Sequence, residues 1–182
     1  MRELILGGAR SGKSSLALQR AHDSGRKVVF VATATASDAE MQSRILLHRD
    51  ERPAEWKTIE AATGLATVLH RMDDPNVFII VDCLTLWLSN VLCAPSAFSS
   101  EQPQFNDVAW SEEMNALLIA LSQRQADIAL VSNEVGFGIV PENAVARRFR
   151  DEQGRLNQRV AARCERVTLM VAGVPLTIKP SR

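Results

Sequence analysis

The fold of this chain is decided by its first strand and the loop after it, Glu3-Leu4-Ile5-Leu6-Gly7-Gly8-Ala9-Arg10-Ser11-Gly12-Lys13-Ser14. The last eight residues fit G-x-x-x-x-G-K-[ST] and lie between an apolar strand and a helix, as that pattern requires. Glycines let backbone N–H groups point inward at phosphate oxygens, the lysine adds a positive charge, and the serine hydroxyl can bind Mg²⁺. The stretch therefore predicts a phosphate-binding loop.

Short apolar runs rich in Val and Ile alternate with helix-like stretches along the rest of the chain. This alternation is typical of βα units that build a mostly parallel sheet flanked by helices, an α/β fold. We predict strands at Glu3–Leu6, Lys27–Ala32, Trp56–Glu60, Val77–Val81, Ile128–Ser132 and Val167–Ala172. Residues Val174–Lys179 could form an antiparallel C-terminal edge after a turn at Gly173-Val174-Pro175. Val77–Val81 is apolar throughout, which indicates a central strand.

Helices are predicted between these strands. They span Lys13–Asp23, Asp38–Asp50, Thr63–Met72, Leu84–Leu92, Val108–Gln125 and Asn143–Cys164. Ser37 and Glu40 form an S-x-x-E capping box at the start of the second helix. The polar stretch from Ala94 to Asp107 is expected to be a long loop, either a lid over a substrate or a tolerated insertion.

Length and charge limit the class of protein. The length of 182 residues predicts one domain over residues 1–182. The balance of 21 Lys and Arg against 21 Asp and Glu argues against a protein whose main function is to bind a nucleic-acid backbone. No run approaches the 18 apolar residues of a membrane span, so we expect a soluble, cytoplasmic protein. Cys83, Cys93 and Cys164 form no CxxC pair and are expected to be buried, reduced thiols.

Asp82 directly follows the all-apolar strand. An NTPase with this loop needs an acidic residue beyond a second strand to hold the magnesium shell. The alternative is an ordinary strand-end Asp that caps the next helix. Given the phosphate loop, we favour a magnesium site at Ser14 and Asp82.

His48 lies on a predicted helix with Arg44 four residues before it and Arg52 four residues after it. Two guanidinium groups suit a polyphosphate, and they also disfavour the imidazolium, which leaves a ring nitrogen free as a nucleophile. On the residues alone, a surface histidine on an amphipathic helix is the simpler interpretation. His22 and His70 are expected to be solvated.

Four blocks resemble the bifunctional adenosylcobinamide kinase/adenosylcobinamide-phosphate guanylyltransferase family of cobalamin biosynthesis. They are residues 7–14; Arg44-Ile-x-x-His48 with Arg52-Pro53-x-x-Trp56; Asn133-Glu134-Val135-Gly136-x-Gly138-Ile139-Val140-Pro141-Glu142-Asn143; and Ala146-Arg147-Arg148-Phe149-Arg150-Asp151 with Gly154-Arg155-x-Asn157-Gln158. The resemblance implies a single RecA-like P-loop domain that forms a homo-oligomer, a trimer.

The resemblance also implies two reactions. The γ-phosphoryl of ATP or GTP moves to the aminopropanol hydroxyl of adenosylcobinamide. A histidine, by motif position His48, then attacks the α-phosphate of GTP and passes GMP to the cobinamide phosphate, with Lys13 absorbing developing charge.

The nucleotide contacts that the resemblance implies lie in five segments. They are Gly7, Gly8, Ala9, Arg10, Ser11, Gly12, Lys13 and Ser14; Ala32, Thr33 and Ala34; Arg49, Asp50, Glu51 and Arg52; Glu60; and Asp82. Residues 32–34 also fit the rule that ligands of open α/β sheets bind beyond the carboxyl ends of strands. The Glu60 carboxylate could accept hydrogen bonds from the guanine N1–H and N2–H₂ edge.

Other interpretations stay open at this point. The chain could be a small-molecule kinase without guanylyl transfer, or a nucleotide-gated binding module acting on DNA or a protein. Residues 133–143 could be a rigid turn in which Asn143 caps the next helix, or they could bring Asn133 and Glu134 near the phosphates or the acceptor hydroxyl. The cluster Arg147, Arg148, Arg150, Asp151 and Glu152 is most simply a solvated, self-paired helix face or a subunit contact.

Overall fold

One seven-stranded sheet organises the molecule. The computed structural model describes residues 1–35, 53–93 and 105–180, and its strands lie in the order β3-β2-β4-β5-β1-β6-β7. The strands are β1 (Arg2–Gly7), β2 (Lys27–Ala32), β3 (Lys57–Glu60), β4 (Val77–Asp82), β5 (Asp127–Asn133), β6 (Arg166–Val171) and β7 (Val174–Lys179). Strands β1 to β6 pair in parallel, and β7 pairs antiparallel with β6. The predicted parallel sheet with an antiparallel C-terminal edge is confirmed.

Five helices connect the strands within the described residues. They are α1 (Lys13–Asp23), α2 (Leu65–Arg71), α3 (Leu84–Leu92), α4 (Asp107–Gln123) and α5 (Ala144–Arg163). The predicted helix Asp38–Asp50, its capping box and residues 94–104 of the predicted loop lie outside the described residues. Asp107, assigned to that loop, begins α4 instead, because the Asn106 side chain accepts a hydrogen bond from Ala109 N and caps the helix.

Two local differences from prediction have simple causes. The β6–β7 turn is Ala172-Gly173 and does not include Val174 and Pro175, because both turn residues have positive φ, 52° and 80°, as a two-residue hairpin turn requires. Strand β3 begins at Lys57 because Trp56 N donates to Pro53 O in the preceding turn.

Both faces of the sheet are covered. On one face, Ile79 and Val81 of β4 pack with buried residues of α2 to α5. On the other face, Phe78 and Ile80 pack with Leu16 of α1. The apolar pattern of β4 therefore marks a central strand, as predicted. Met114, Leu117 and Leu121 form the core-facing stripe of α4.

The parallel strands bring their carboxyl ends to one edge of the sheet. Gly7 is level with Asn133 of β5 and Met170 of β6. On the other side of β5, Asp82 is level with Ala32, which is level with Glu60. This edge carries every described residue that the sequence assigns to the nucleotide. Within the described residues, no helix has the length and apolar character needed to cross a membrane.

Candidate active site

The phosphate loop joins β1 to α1 at this edge. Gly12, the residue before α1, has φ 96° and ψ 10°, and no side chain caps the helix start. The first N–H groups of α1 are thus left to meet a ligand, and the helix dipole favours an anion there. The backbone has the form that the sequence predicts for a phosphate cradle.

Lys13 is buried and folded over the loop. Its Nζ donates to Gly8 O at 2.5 Å and lies 3.5 Å from Ser11 Oγ. Burial lowers the pKa of Lys13, and the nearby Asp82 carboxylate opposes that shift. The Lys13 ammonium thus lies over the phosphate loop. When a nucleotide binds, we expect its phosphate oxygens to replace the Gly8 carbonyl as the acceptor of the Lys13 hydrogen bond.

The β6–β7 hairpin supports the loop from beneath. Gly173 N donates to Ser11 O at 3.1 Å. A Cβ on Gly7 would lie 2.6 Å from Met170 O, and a Cβ on Gly12 would lie 3.3 Å from Met170 Cε. The motif glycines therefore also permit close packing against β6, a role that the sequence analysis missed because Met170 and Gly173 are far away along the chain.

Asp82 ends β4, which is separated from β1 by the intervening strand β5. Strands lie about 4.8 Å apart, so the backbones of β4 and β1 are about 10 Å apart. Asp82 ends β4 at the same edge of the sheet, level with Val131 of β5. Mg²⁺ takes oxygen ligands, typically one or two from protein with the rest from phosphates and water. The Asp82 carboxylate and the Ser14 hydroxyl, on the second residue of α1, fit that donor set.

Thr33 fastens the end of β2 to the residue after Asp82. Its buried Oγ1 donates to Cys83 O at 2.7 Å and accepts from Cys83 N at 2.8 Å. Its backbone N donates to Asp82 O, and its carbonyl accepts from Asn90 Nδ2 at 2.8 Å. The Thr33 hydroxyl is thus committed to the protein, and a ligand could meet this turn through the half-buried Ala32 and Ala34.

Asn133 and Glu134 lie directly beside the phosphate loop. Glu134 N donates to Gly7 O at 3.1 Å, continuing the register of β5 with β1. Asn133 N donates to Thr85 Oγ1, and Asn133 O accepts from Asn157 Nδ2. Asn143 caps α5 by accepting from Ala146 N, which confirms the predicted cap. That Asn133 and Glu134 lie near a bound phosphate or the acceptor hydroxyl stays a prediction.

Residues 134–143 form the ten-residue connection between β5 and α5. Side chains hold this connection near both ends. Glu134 Oε1 accepts from Gly136 N, and Arg147 Nη1 donates to the carbonyls of Pro141 and Glu142. The apolar side chains between these two anchors face outward.

The prediction of a solvated face on α5 is wrong for Glu152. Glu152 is buried, accepts from Trp110 Nε1 at 3.0 Å and pairs with Arg148 and Arg155. Arg148 also pairs with Asp107 of α4. These charges join α5 to α4, because a buried carboxylate needs partners of this kind.

The remaining predicted residues lie away from the phosphate loop or outside the described residues. Glu60 is exposed at the end of β3, four strands from β1 and hence about 19 Å across the sheet from Gly7. His48, with Arg44, Arg49, Asp50, Glu51 and Arg52, lies outside the described residues. His22 and His70 are exposed, and the three cysteines, all within the described ranges, are buried free thiols, as predicted.

Comparisons with known proteins identify the family that this chain resembles along its length. A family model described as "Cobinamide kinase / cobinamide phosphate guanyltransferase" matches residues 3–178. The bifunctional adenosylcobalamin biosynthesis protein CobP of Pseudomonas aeruginosa is 48% identical over 179 residues, 98% of each chain. The bifunctional adenosylcobalamin biosynthesis protein CobU of Salmonella typhimurium is 41% identical over 181 residues, 97% of this chain and 98% of that protein.

A solved structure supports the fold alone. The prototypical ATPase from the type III secretion system of pathogenic bacteria superimposes with a TM-score of 0.51 at 13% identity, over 97% of this chain and 56% of that one. The fold is that of RecA-like P-loop ATPases, as the family resemblance implies.

Proposed function

The chain belongs to the cobinamide kinase/cobinamide phosphate guanyltransferase family, and we propose that it performs both reactions at one phosphate loop, with a guanylyl-histidine at His48 as intermediate. The observation that carries the proposal is the buried Lys13, whose Nζ donates to Gly8 O in the phosphate loop, at the sheet edge where β4 ends with Asp82. That arrangement suits a nucleoside triphosphate, which is the substrate that the two reactions share.

In the kinase reaction, the loop N–H groups and Lys13 hold the β- and γ-phosphates of ATP or GTP. The acceptor hydroxyl oxygen of adenosylcobinamide forms a bond to the γ-phosphorus, the β–γ bridging bond breaks, and the hydroxyl proton is released. Ser14 and Asp82 would hold Mg²⁺, which neutralises charge on the triphosphate when bound. Lys13 stabilises the charge on the departing diphosphate.

In the transfer reaction, an imidazole nitrogen of His48 forms a bond to the α-phosphorus of GTP, and the α–β bridging bond breaks to release pyrophosphate. An oxygen of the cobinamide phosphate then attacks the same phosphorus, the P–N bond breaks, and adenosylcobinamide-GDP forms. Covalent catalysis of this kind divides one displacement into two in-line steps. The support for His48 is its position between Arg44 and Arg52, whose guanidinium groups suit a polyphosphate.

The intermediate is tested by incubation with GTP labelled at the α-phosphate. The chain has three histidines, and the exposed His22 and His70 provide matched controls. Wild-type protein, His22→Ala and His70→Ala should each retain label that is stable to alkali and labile to acid. His48→Ala should retain none. Label that survives in His48→Ala would overturn the assignment.

The alternative of a kinase without guanylyl transfer makes a different prediction for the same proteins. In that case the wild-type protein would transfer the γ-phosphate to adenosylcobinamide yet would never become labelled. Under the proposal, His48→Ala should keep the kinase reaction and lose the transfer reaction, because the histidine acts in the second reaction alone.

A further inference from the structure

The connection between β5 and α5, residues 134–143, has a surface that the proposed chemistry does not use. It begins beside the phosphate loop, where Glu134 N donates to Gly7 O. We call these residues the apolar loop, after Phe137, Ile139 and Val140 near its centre.

The exposure of these side chains is unusually high. Phe137 is 84% exposed, Ile139 is 96% exposed and Val140 is 57% exposed. Removing a large apolar side chain from water is favourable, so three such side chains within four residues are a substantial unused contribution to binding. Scattered apolar residues are normal at a surface, whereas a contiguous group marks a contact with a ligand or partner.

The loop holds these side chains in place from both ends. On one side, Glu134 Oε1 accepts from Gly136 N at 2.6 Å. On the other side, Arg147 Nη1 donates to Pro141 O at 3.0 Å and to Glu142 O. A loop pinned in this way presents its apolar side chains at low entropic expense, as a preorganised binding surface does.

The charge of the apolar loop favours adenosylcobinamide over the nucleotide as its ligand. Residues 133–143 include Glu134 and Glu142 and no Lys or Arg. An anionic triphosphate gains nothing from such a surface, and it already has the adjacent cradle. Adenosylcobinamide has a broad macrocycle with apolar faces and a net positive charge from its cobalt centre, so it matches the loop in both respects.

We propose that the apolar loop is the docking surface for the corrinoid macrocycle, with Phe137 and Ile139 as its main contacts. This inference rests on the proposed function. From this surface the aminopropanol arm needs to reach only past Glu134 and Gly7 to meet the phosphates. The loop thereby sets specificity for the acceptor, and the phosphate loop serves the nucleotide.

The test uses the full chain with Phe137→Ser, Ile139→Ser and the double variant. Because both side chains are exposed, the variants should fold normally. The KM for adenosylcobinamide in the kinase reaction should rise about tenfold for each single variant and further for the double variant. The KM for the nucleotide and the guanylylation from labelled GTP should stay within twofold. Ile119→Ser on α4, where Ile119 is 54% exposed, is the matched control and should change neither KM.

Two results would overturn the inference while the proposed function stands: an unchanged KM for adenosylcobinamide in the double variant, or a change in its molar mass by light scattering, which would make the loop a contact between copies of the chain. If wild-type protein does not phosphorylate adenosylcobinamide at all, the proposed function itself fails. The wild-type assay thus separates the two failures.

Discussion

At the scale of single residues, Thr33 holds the backbone around Asp82 through its hydroxyl and its N–H group. Its hydroxyl both donates to and accepts from the backbone of Cys83, and its N–H reaches Asp82 O. It therefore fixes the backbone from which the Asp82 carboxylate extends. We interpret Thr33 as a positioning residue that acts through Asp82.

Thr33→Val keeps the shape of the side chain and removes the hydroxyl, which leaves Cys83 N and O buried without that partner. The free energy of unfolding should fall by about 1–3 kcal/mol, measured by urea denaturation. The Mg²⁺ concentration for half-maximal kinase activity should rise several-fold, because the Asp82 carboxylate is less well held.

Thr33→Ser is the control, since it restores the hydroxyl, and it should recover most of the magnesium response. A Thr33→Val protein with the wild-type magnesium dependence would limit Thr33 to a structural role. The KM for adenosylcobinamide should be unaffected in both variants.

At the scale of elements, the hairpin β6–β7 and the phosphate loop are packed too closely for a side chain at Gly7. A Cβ there would approach Met170 O and Ser11 Oγ to 2.6 Å each. Gly7→Ala should therefore lower the free energy of unfolding by about 1–3 kcal/mol, as overpacking does.

Gly8→Ala is the matched comparison, because a Cβ at Gly8 would meet nothing within 4 Å. Its free energy of unfolding should stay within about 0.5 kcal/mol of wild type. Equal stability of the two variants in urea would contradict the packing argument.

The elements also show how far sequence reasoning reaches. Helix α1 and strand β2 were predictable to the residue, because local signals define them: the phosphate-loop pattern precedes α1, and β2 is a Val-rich run after Gly25. The contact of Gly173 with Ser11 and the burial of Glu152 under Trp110 were not predictable. Both depend on segments that are distant in sequence and meet through tertiary packing.

At the scale of the whole molecule, the parallel sheet gathers the ends of β1, β2, β4 and β5 at one edge, so we expect a nucleotide bound there to contact several parts of the chain at once. Ligand that binds only the folded state stabilises it by RT ln(1 + [L]/Kd), about 2.7 kcal/mol at a hundredfold excess over Kd.

For a chain of this length, that stabilisation should raise Tm by roughly 5–10 °C when Mg²⁺ and GTP are added. Lys13→Ala should lose most of the shift, because the ammonium no longer meets the phosphates. Differential scanning fluorimetry with and without GTP measures both proteins. An equal shift in Lys13→Ala would mean that GTP binds elsewhere.

The hydrogen bond from Gly173 to Ser11 has a consequence for biosynthesis. The ribosome makes the cradle before its supporting hairpin, with about 160 residues between Ser11 and Gly173, so at roughly 5–20 residues per second a nascent chain carries an unsupported cradle for about 8–30 s. The strand that holds the cradle, β1, likewise pairs with β5 and β6, both made late. We therefore expect the ability to bind nucleotide to arise only once translation has passed the hairpin.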